Sequence, residues 1–389
     1  MLEMVGKEGI SVRKMVTYIV VVITIWLLFG SGTQQGIPLE KIDLFLLLGI
    51  DKDENGDLII VTSTPFLQDN AIKHATKNIV KAKSIYEAYS KINSSIHGLS
   101  IASKVEVILI GKKVVEDLKW MGELDGIFRD PRSSTNAKVI IIDGLVMDIF
   151  KMKAPGKLIM PIYIKELMQS AIHSNVSVAS TVQRLLRQFN DKGQTPSIPM
   201  LQIRKNKILV SGLAFLDSNG KYITHIPTRD VGLFRLLERE KVQGEMRVSI
   251  YYISPQKQNE EATVIIEDSK RKIDIIYKKG RIHFQIYVKI NVSIIEKTNS
   301  KPIQTFEEEK QRAMDFEKQI QIQLEKRVKK MIQCIQQNQI DPLGLGIYVR
   351  SYEYSRWKDV EKSWGKELSK SSIQIHMDVN VTNTGIIRG

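Results

Sequence analysis

Cysteine is almost missing: Cys334 is the only one in 389 residues. A disulfide within the chain is therefore excluded, and so is a metal centre built on several thiolates. Histidine is scarce too. His74, His97, His173, His225, His283 and His376 stand singly, with no i,i+4 pair and no HExxH, so the spacing of a zinc hydrolase is absent from the sequence. No Walker loop occurs, and Gly344-Leu-Gly346 lacks both the third glycine and the preceding strand of a dinucleotide fingerprint. Gly30-Ser31-Gly32 follows an apolar segment and forms no nucleophile elbow. No stretch groups a nucleophile with a base, so the expectation is a protein without cofactor, metal or catalysis. A triad assembled at long range stays open at this point.

Charge is what the chain has in surplus. Lys and Arg number 57 against 43 Asp and Glu, a net +14. Residues 1–32 hold Lys7, Arg13 and Lys14 against Glu3 and Glu8, so nearly all of the surplus belongs to the folded body. Such a body suits an anionic neighbour, lipid headgroups or nucleic acid, or is simply a basic soluble surface. The densest clusters are Lys270-Arg271-Lys272, Lys278-Lys279-Gly-Arg281 and Lys326-Arg327-Val-Lys329-Lys330. They are placed at strand ends and on the outer face of an amphipathic helix, without interleaved aromatics. A solvated basic face is the expectation, not a nucleic-acid site.

Met15 to Gly30 runs sixteen residues without a charge, behind Arg13-Lys14. At ~1.5 Å per residue it would span about 24 Å, less than a hydrocarbon core of about 30 Å. Its length lies between a signal peptide and an anchor, and the basic flank puts the chain beyond Gly32 outside the cytoplasm.

Past that segment, Ile42–Ile50 and Leu58–Thr62 flank an Asp/Asn/Gly turn and read as a β-hairpin. The spacing of Asp51, Asp53, Asn55 and Asp57 resembles the start of a calcium loop, but Thr62 stands where the closing Glu belongs, so turn chemistry is the reading. Ser84-Ile-Tyr-Glu87 is a capping box for a helix with Ile85, Tyr89, Ile92 and Ile96 on one face. Val105–Ile110 and Val139–Ile142 are continuous apolar strands, with a helical period over Val114–Phe128 between them. Strand–helix alternation of this kind argues for an α/β layer. Residues 151–200 hold four prolines around a helix near Val178–Phe189. Later come strands at Lys207–Phe215, Val248–Ile253, Thr263–Ile266 and Ile273–Tyr277, and a helix at Thr228–Leu237. His283–Ile294 and Gln374–Thr382 alternate strictly, which means a sheet covered on one face. The cover is a helix opened by Thr305-Phe-Glu-Glu308, with Ala313, Phe316, Ile320, Leu324, Val328, Met331 and Ile335 in one stripe. The expected class is α+β or mixed α/β, multidomain, with mixed or antiparallel sheets covered by helices. The boundaries read as 1–32 signal or anchor, 33–150 N-terminal α/β domain, 151–204 connector or small subdomain, and 205–389 C-terminal domain.

Six short motifs occur in one order: Gly49-Ile50-Asp51-Lys52-Asp53 after a strand, Val107-Ile-Leu-Ile-Gly111, Phe128-Arg129-Asp130-Pro131-Arg132, Asp341-Pro-Leu-Gly344-Leu-Gly346, Trp357-Lys358 with Trp364, and a closing strand with Gly385 and Arg388-Gly389. In these the chain resembles the Ger(x)C family, the C subunits of bacterial spore germinant receptors, over nearly its whole length. The resemblance implies several mixed α/β domains and a lipoprotein on the outer face of the inner spore membrane. It further implies partnership with a multipass A-type subunit and a transporter-like B-type subunit. One feature departs from the family. Thr33, eighteen residues before Asp51, occupies the place of the lipid-bearing cysteine. No lipid attachment is expected there, and the apolar segment is left as the anchor.

Gly49, Gly111, Gly344 and Gly346 read as sites of tight turns or close backbone approach. Arg129 and Asp130 would pair or cap the turn begun by Pro131, and Trp357 and Trp364 would pin the last helix to the sheet. Asp51 and Asp341 complete the set of structural or partner-contacting positions. The leading function is thus a non-catalytic, membrane-tethered C subunit needed for germination signalling. An exported solute-binding protein of a transporter and a cell-envelope hydrolase are the alternatives.

Overall fold

The computed structural model describes residues 12–30, 42–68, 71–95, 99–101, 104–128, 134–156, 158–238, 246–253, 259–278, 280–297 and 306–383. Helix α1 (Val12–Gly30) carries apolar side chains that are exposed from Met15 to Ile25. Among the described residues no helix is long and apolar enough to cross a membrane.

In chain order the first half continues with β1 (Ile42–Leu44), β2 (Leu47–Lys52), β3 (Leu58–Gln68), β4 (Ala71–Ala82), α2 (Ile85–Ser95), β5 (Leu99–Ile101) and β6 (Val107–Gly111). Three short helices, α3 (Lys112–Val115), α4 (Trp120–Glu123) and α5 (Asp125–Phe128), lead to β7 (Lys138–Ile142) and α6 (Val146–Lys151). Then come α7 (Met160–His173), α8 (Val182–Asn190), β8 (Ser197–Arg204), β9 (Lys207–Leu216) and β10 (Tyr222–Pro227). Eight of these strands form one sheet in the order β10-β9-β8-β7-β6-β2-β3-β4, parallel through β8-β7-β6-β2 and antiparallel at both ends. Its central strands are unbroken apolar runs because both faces are covered. Ile108, Ile110, Val139 and Ile141 meet α2, α3 to α5 and α8; Leu109, Ile140 and Ile142 meet α6 and α7.

The hairpin turn Asp53–Asp57 forms as expected, since Asp53 Oδ1 accepts from the amides of Asn55 and Asp57 (both 2.9 Å). Its other oxygen meets Lys81 Nζ at 2.5 Å, and this hydrogen bond holds the Asp53 carboxyl below its usual range. Ser84 Oγ accepts from the Glu87 amide (3.2 Å), while the Glu87 carboxylate reaches back to the amide of Lys83, one residue earlier than a capping box requires.

Two readings need correction here. The span 114–128 is not one helix but three turns, broken at Glu116–Lys119 and Leu124. The proline-bearing stretch 151–200 carries α7, because Pro161 stands in the first helical turn where a missing N–H costs nothing. β8 ends at Arg204, and the Lys205–Asn206 turn, with both residues at positive φ, leads into β9, from which the sheet continues to Pro227.

The second half comprises α9 (Thr228–Leu237), β11 (Met246–Ile253), β12 (Asn259–Lys278), β13 (Arg281–Lys297), α10 (Phe306–Gln337), α11 (Leu345–Tyr352), α12 (Tyr354–Val360), α13 (Trp364–Lys370) and β14 (Ser372–Asn383). The sheet order is β11-β12-β13-β14, with β13 and β14 parallel. Phe316, Ile320, Leu324, Val328, Met331 and Ile335 of α10 are all buried on it, with Phe284, Ile286, Val288 and Ile290. α10 also shields the outer edge of β14: Glu317 Oε1 accepts from the Val381 amide (2.8 Å) and Glu325 Oε1 from that of Met377 (3.3 Å). Unpaired edge donors are thereby covered.

β12 joins two strands that read as separate. The polar run Glu267–Lys272 breaks the apolar pattern, and the register with β13 shifts between Ile266 and Asp268. Glu267 is held there by the hydroxyls of Ser293 and Thr382. Lys270–Lys272 therefore lie inside a strand rather than at its end, and Arg271 is no solvated charge. It donates to Tyr348 Oη (2.6 Å) and to the Leu237 carbonyl.

Candidate functional site

The motif Gly49-Ile50-Asp51-Lys52-Asp53 alternates across the end of β2, so its side chains serve opposite layers. Gly49 lies beneath α6: a Cβ there would fall 2.6 Å from Val146 Cγ1. Ile50 points into the other apolar layer. Asp51 turns back to α6, where its Oδ2 accepts from the Met147 amide at 3.2 Å. Burial pushes its carboxyl up against the lowering effect of the Met147 and Val146 amides. Lys52, on the opposite face, meets Asp117 at 2.5 Å and Glu123 at 2.7 Å. Gly111, paired with the end of β7, supplies the room for Asp51. A Cβ at 111 would stand 2.0 Å from Asp51 Oδ1.

The C-terminal motifs converge on a second cluster. Asp341 is completely buried. Its Oδ2 accepts from the Gly346 amide (2.8 Å) and from Trp364 Nε1 (2.7 Å), which ties the start of α11 to the start of α13. Burial lifts its carboxyl from 3.8 to about 6, with the Gly346 amide and the Trp364 indole opposing the rise. Gly344 caps α11 from the left-handed region, at φ 72°. Gly346 is packed against the loop after α8: a Cβ there would lie 2.8 Å from Gly193 Cα and from Gly193 O. Trp364 packs on Trp357 (centroids 5.5 Å apart) and edge-on to Phe284 of β13 (6.5 Å).

This cluster locks the two halves of the chain together. The Thr195 amide donates to the Asp341 carbonyl (2.8 Å), and the Asp341 amide donates to Thr195 Oγ1 (3.1 Å). Arg350 grips Asp191 with two parallel bonds of 2.8 and 2.9 Å and lies over the Trp357 ring. Nearby, Arg184 and Glu238 form a buried ion pair, and Arg235 donates to the Ile172 carbonyl (2.9 Å) and to Asn175 Oδ1. Sequence reasoning missed Asp191, Thr195, Arg350, Arg184 and Glu238. Asn190-Asp191-Lys192-Gly193 is legible as a turn, but nothing marks a partner 159 residues away.

Asp51 and Gly111 thus meet in one place, and Asp341, Gly344, Gly346, Trp357 and Trp364 in another. Arg129, Asp130 and Pro131 lie outside the described residues, as do Thr33, Thr305, Gly385 and Arg388. Among the described residues no three His, Cys, Asp or Glu side chains are grouped to hold a metal ion.

Comparison with known proteins gives these clusters a setting. The family model described as the spore germination protein N-terminal domain matches residues 35–203, and the spore germination B3/GerAC-like C-terminal model matches 211–385. The chain belongs to the Ger(x)C family of spore germinant receptor C subunits. The GerBC protein, solved as a crystal structure, superposes with a TM-score of 0.58 at 16% identity, over 86% of this chain and 97% of that one. That likeness speaks for the fold. No curated protein matches the chain. The Asp341 junction joins the loop 191–195 of the first Ger(x)C domain to the 341–364 segment of the second.

Proposed function

We propose that this Ger(x)C chain is a non-catalytic subunit of a nutrient germinant receptor, held by its N-terminal segment at the outer face of the bacterial cytoplasmic membrane. There it supports assembly with A-type and B-type membrane subunits and so the germination signal. One observation carries this reading. Of the motif residues, Asp51, Asp341, Trp357 and Trp364 are buried, and the Asp51 and Asp341 carboxylates are engaged inside the protein, by the amides of Met147 and Gly346 and the indole of Trp364. They tie the two halves of the chain together, and the outer surface is left for partners. A tether holds such a body in a thin layer, which raises its effective concentration for membrane partners.

Gene deletion tests the proposal. Spores should lose the response to one set of nutrients, with growth and sporulation intact, and the A-type and B-type subunits should fall in abundance. Normal germination on every nutrient, in a strain without a paralogue, would remove the reading. A ligand-dependent rise in the melting temperature of the purified chain would then favour the solute-binding alternative.

A further inference from the structure

The outer face of α10 carries a stripe of lysines. Lys318, Lys326, Lys329 and Lys330 are exposed and have no ion-pair partner among the described residues. From 318 to 330 the stripe runs about 18 Å along the helix. The acids around it accept hydrogen bonds from other groups. Glu317 and Glu325 cap amides of β14, Asp230 is held by Arg327 (2.8 Å), and Asp315 accepts from Gln311. Arg229, 82% exposed on its side chain and 3.9 Å from Asp230, lies beside the stripe on α9, where its carbonyl accepts from Arg327. Among the lysines stands Ile322, 54% exposed, on the helix face opposite the buried Ile320–Leu324 stripe.

An aliphatic side chain ringed by flexible cations is the composition of a helix that lies flat on an anionic bilayer, with lysine stems sunk beside the apolar group and ammonium heads at the phosphates. The chain also has, in α1, an apolar helix whose side chains are exposed from Met15 to Ile25, and as the proposed tether it would hold the body close to lipid. A protein partner would favour Tyr, Trp and Arg at its anchor rather than four lysines. We infer that the Lys318–Lys330 face of α10 is a docking surface for anionic phospholipid headgroups, orienting the C-terminal domain on the membrane. The inference does not depend on the germination role.

The test uses the full chain in vesicles, with a fluorophore attached through Ile322→Cys and the native thiol removed by Cys334→Ser. In phosphatidylglycerol-rich vesicles, emission should shift to the blue and be quenched by nitroxide-bearing lipid. Neutral phosphatidylcholine vesicles should give neither effect. A lysine held near such a surface contributes about a fivefold factor, so each Lys→Gln change should weaken docking by about that much, and all four should abolish it. Salt near 1 M, where the screening length is about 3 Å, should do the same. Circular dichroism of the fourfold variant checks that the helix persists. Absence of quenching in anionic vesicles, or equal quenching in neutral ones, overturns the inference. Quenching that needs a second protein subunit overturns it as well and marks the stripe as a protein interface.

Discussion

Asp341 is a carboxylate in a place that disfavours its charge, and that gives the junction a pH dependence of known sign. Replacing it by Asn keeps an oxygen that can accept from the Gly346 amide and Trp364 Nε1 and removes the titration. The folded carboxyl titrates near 6, whereas its ordinary value is 3.8. A raised acid means that the folded state binds the proton first, so stability rises as pH falls through the folded value and levels off near the unfolded one. The full difference corresponds to about 3 kcal/mol, of which about 1 kcal/mol should appear between pH 7 and pH 5. Asp51, also raised, adds to the same trend, while Asp53 and Asp117, both lowered, act in the opposite sense at lower pH. These groups are common to both proteins and cancel in the difference. Denaturant unfolding of the purified chain and of Asp341→Asn at several pH values gives that difference directly. The parent should gain on the variant by about 1 kcal/mol on acidification from 7 to 5. A flat difference, or one that runs the other way, would refute a charged, desolvated Asp341.

Three further substitutions probe the architecture. Gly346→Ala places a methyl 2.7 Å from Trp364 Nε1 and 2.8 Å from the Gly193 backbone, so it should cost about 1–3 kcal/mol, read as a lower urea midpoint at unchanged slope. Leu324→Ala, at a fully buried position of α10, should cost about 2–5 kcal/mol; a loss under about 1 kcal/mol would mean that the stripe is not packed on the sheet. Arg184→Met alone should cost about 3–5 kcal/mol by stranding Glu238, and adding Glu238→Leu should restore most of it. If the double substitution is as unstable as the single, the buried pair contributes more than mutual neutralisation.

Much of this fold was legible because local pattern and tertiary environment agree. The run Val107–Gly111 is apolar at every position because helices cover both sides, and the α10 stripe is periodic because only one side is covered. Legibility failed where a polar side chain has a distant tertiary partner. Glu267 sits in the middle of β12 because Ser293 and Thr382 receive it, and Arg271 is half-buried because Tyr348 and Leu237 do. The same holds at the junction. Asp341, Gly344 and Gly346 were recognisable as a motif, but Thr195 and Gly193, which Asp341 and Gly346 meet, and Asp191, which Arg350 grips, carry no signal that names these partners.

That junction is made of directional contacts, which has a structural consequence. An apolar seam between two domains can slide, since the hydrophobic effect follows area and not angle. Here the paired Asp341–Thr195 bonds, the two-pronged Arg350–Asp191 grip and the Gly346–Gly193 backbone contact each tolerate one geometry. Below them Phe215 of β9 packs on Phe234 of α9 at 5.3 Å, while its neighbours Ala214 and Leu216 face the other core, so β9 is shared by both domains. A displacement imposed on α11 or α13 must therefore be carried into the loop 191–195 and the eight-stranded sheet, or break bonds of which the Asp341–Thr195 pair is buried away from water. Rotation of one domain against the other would therefore have to break these directional contacts.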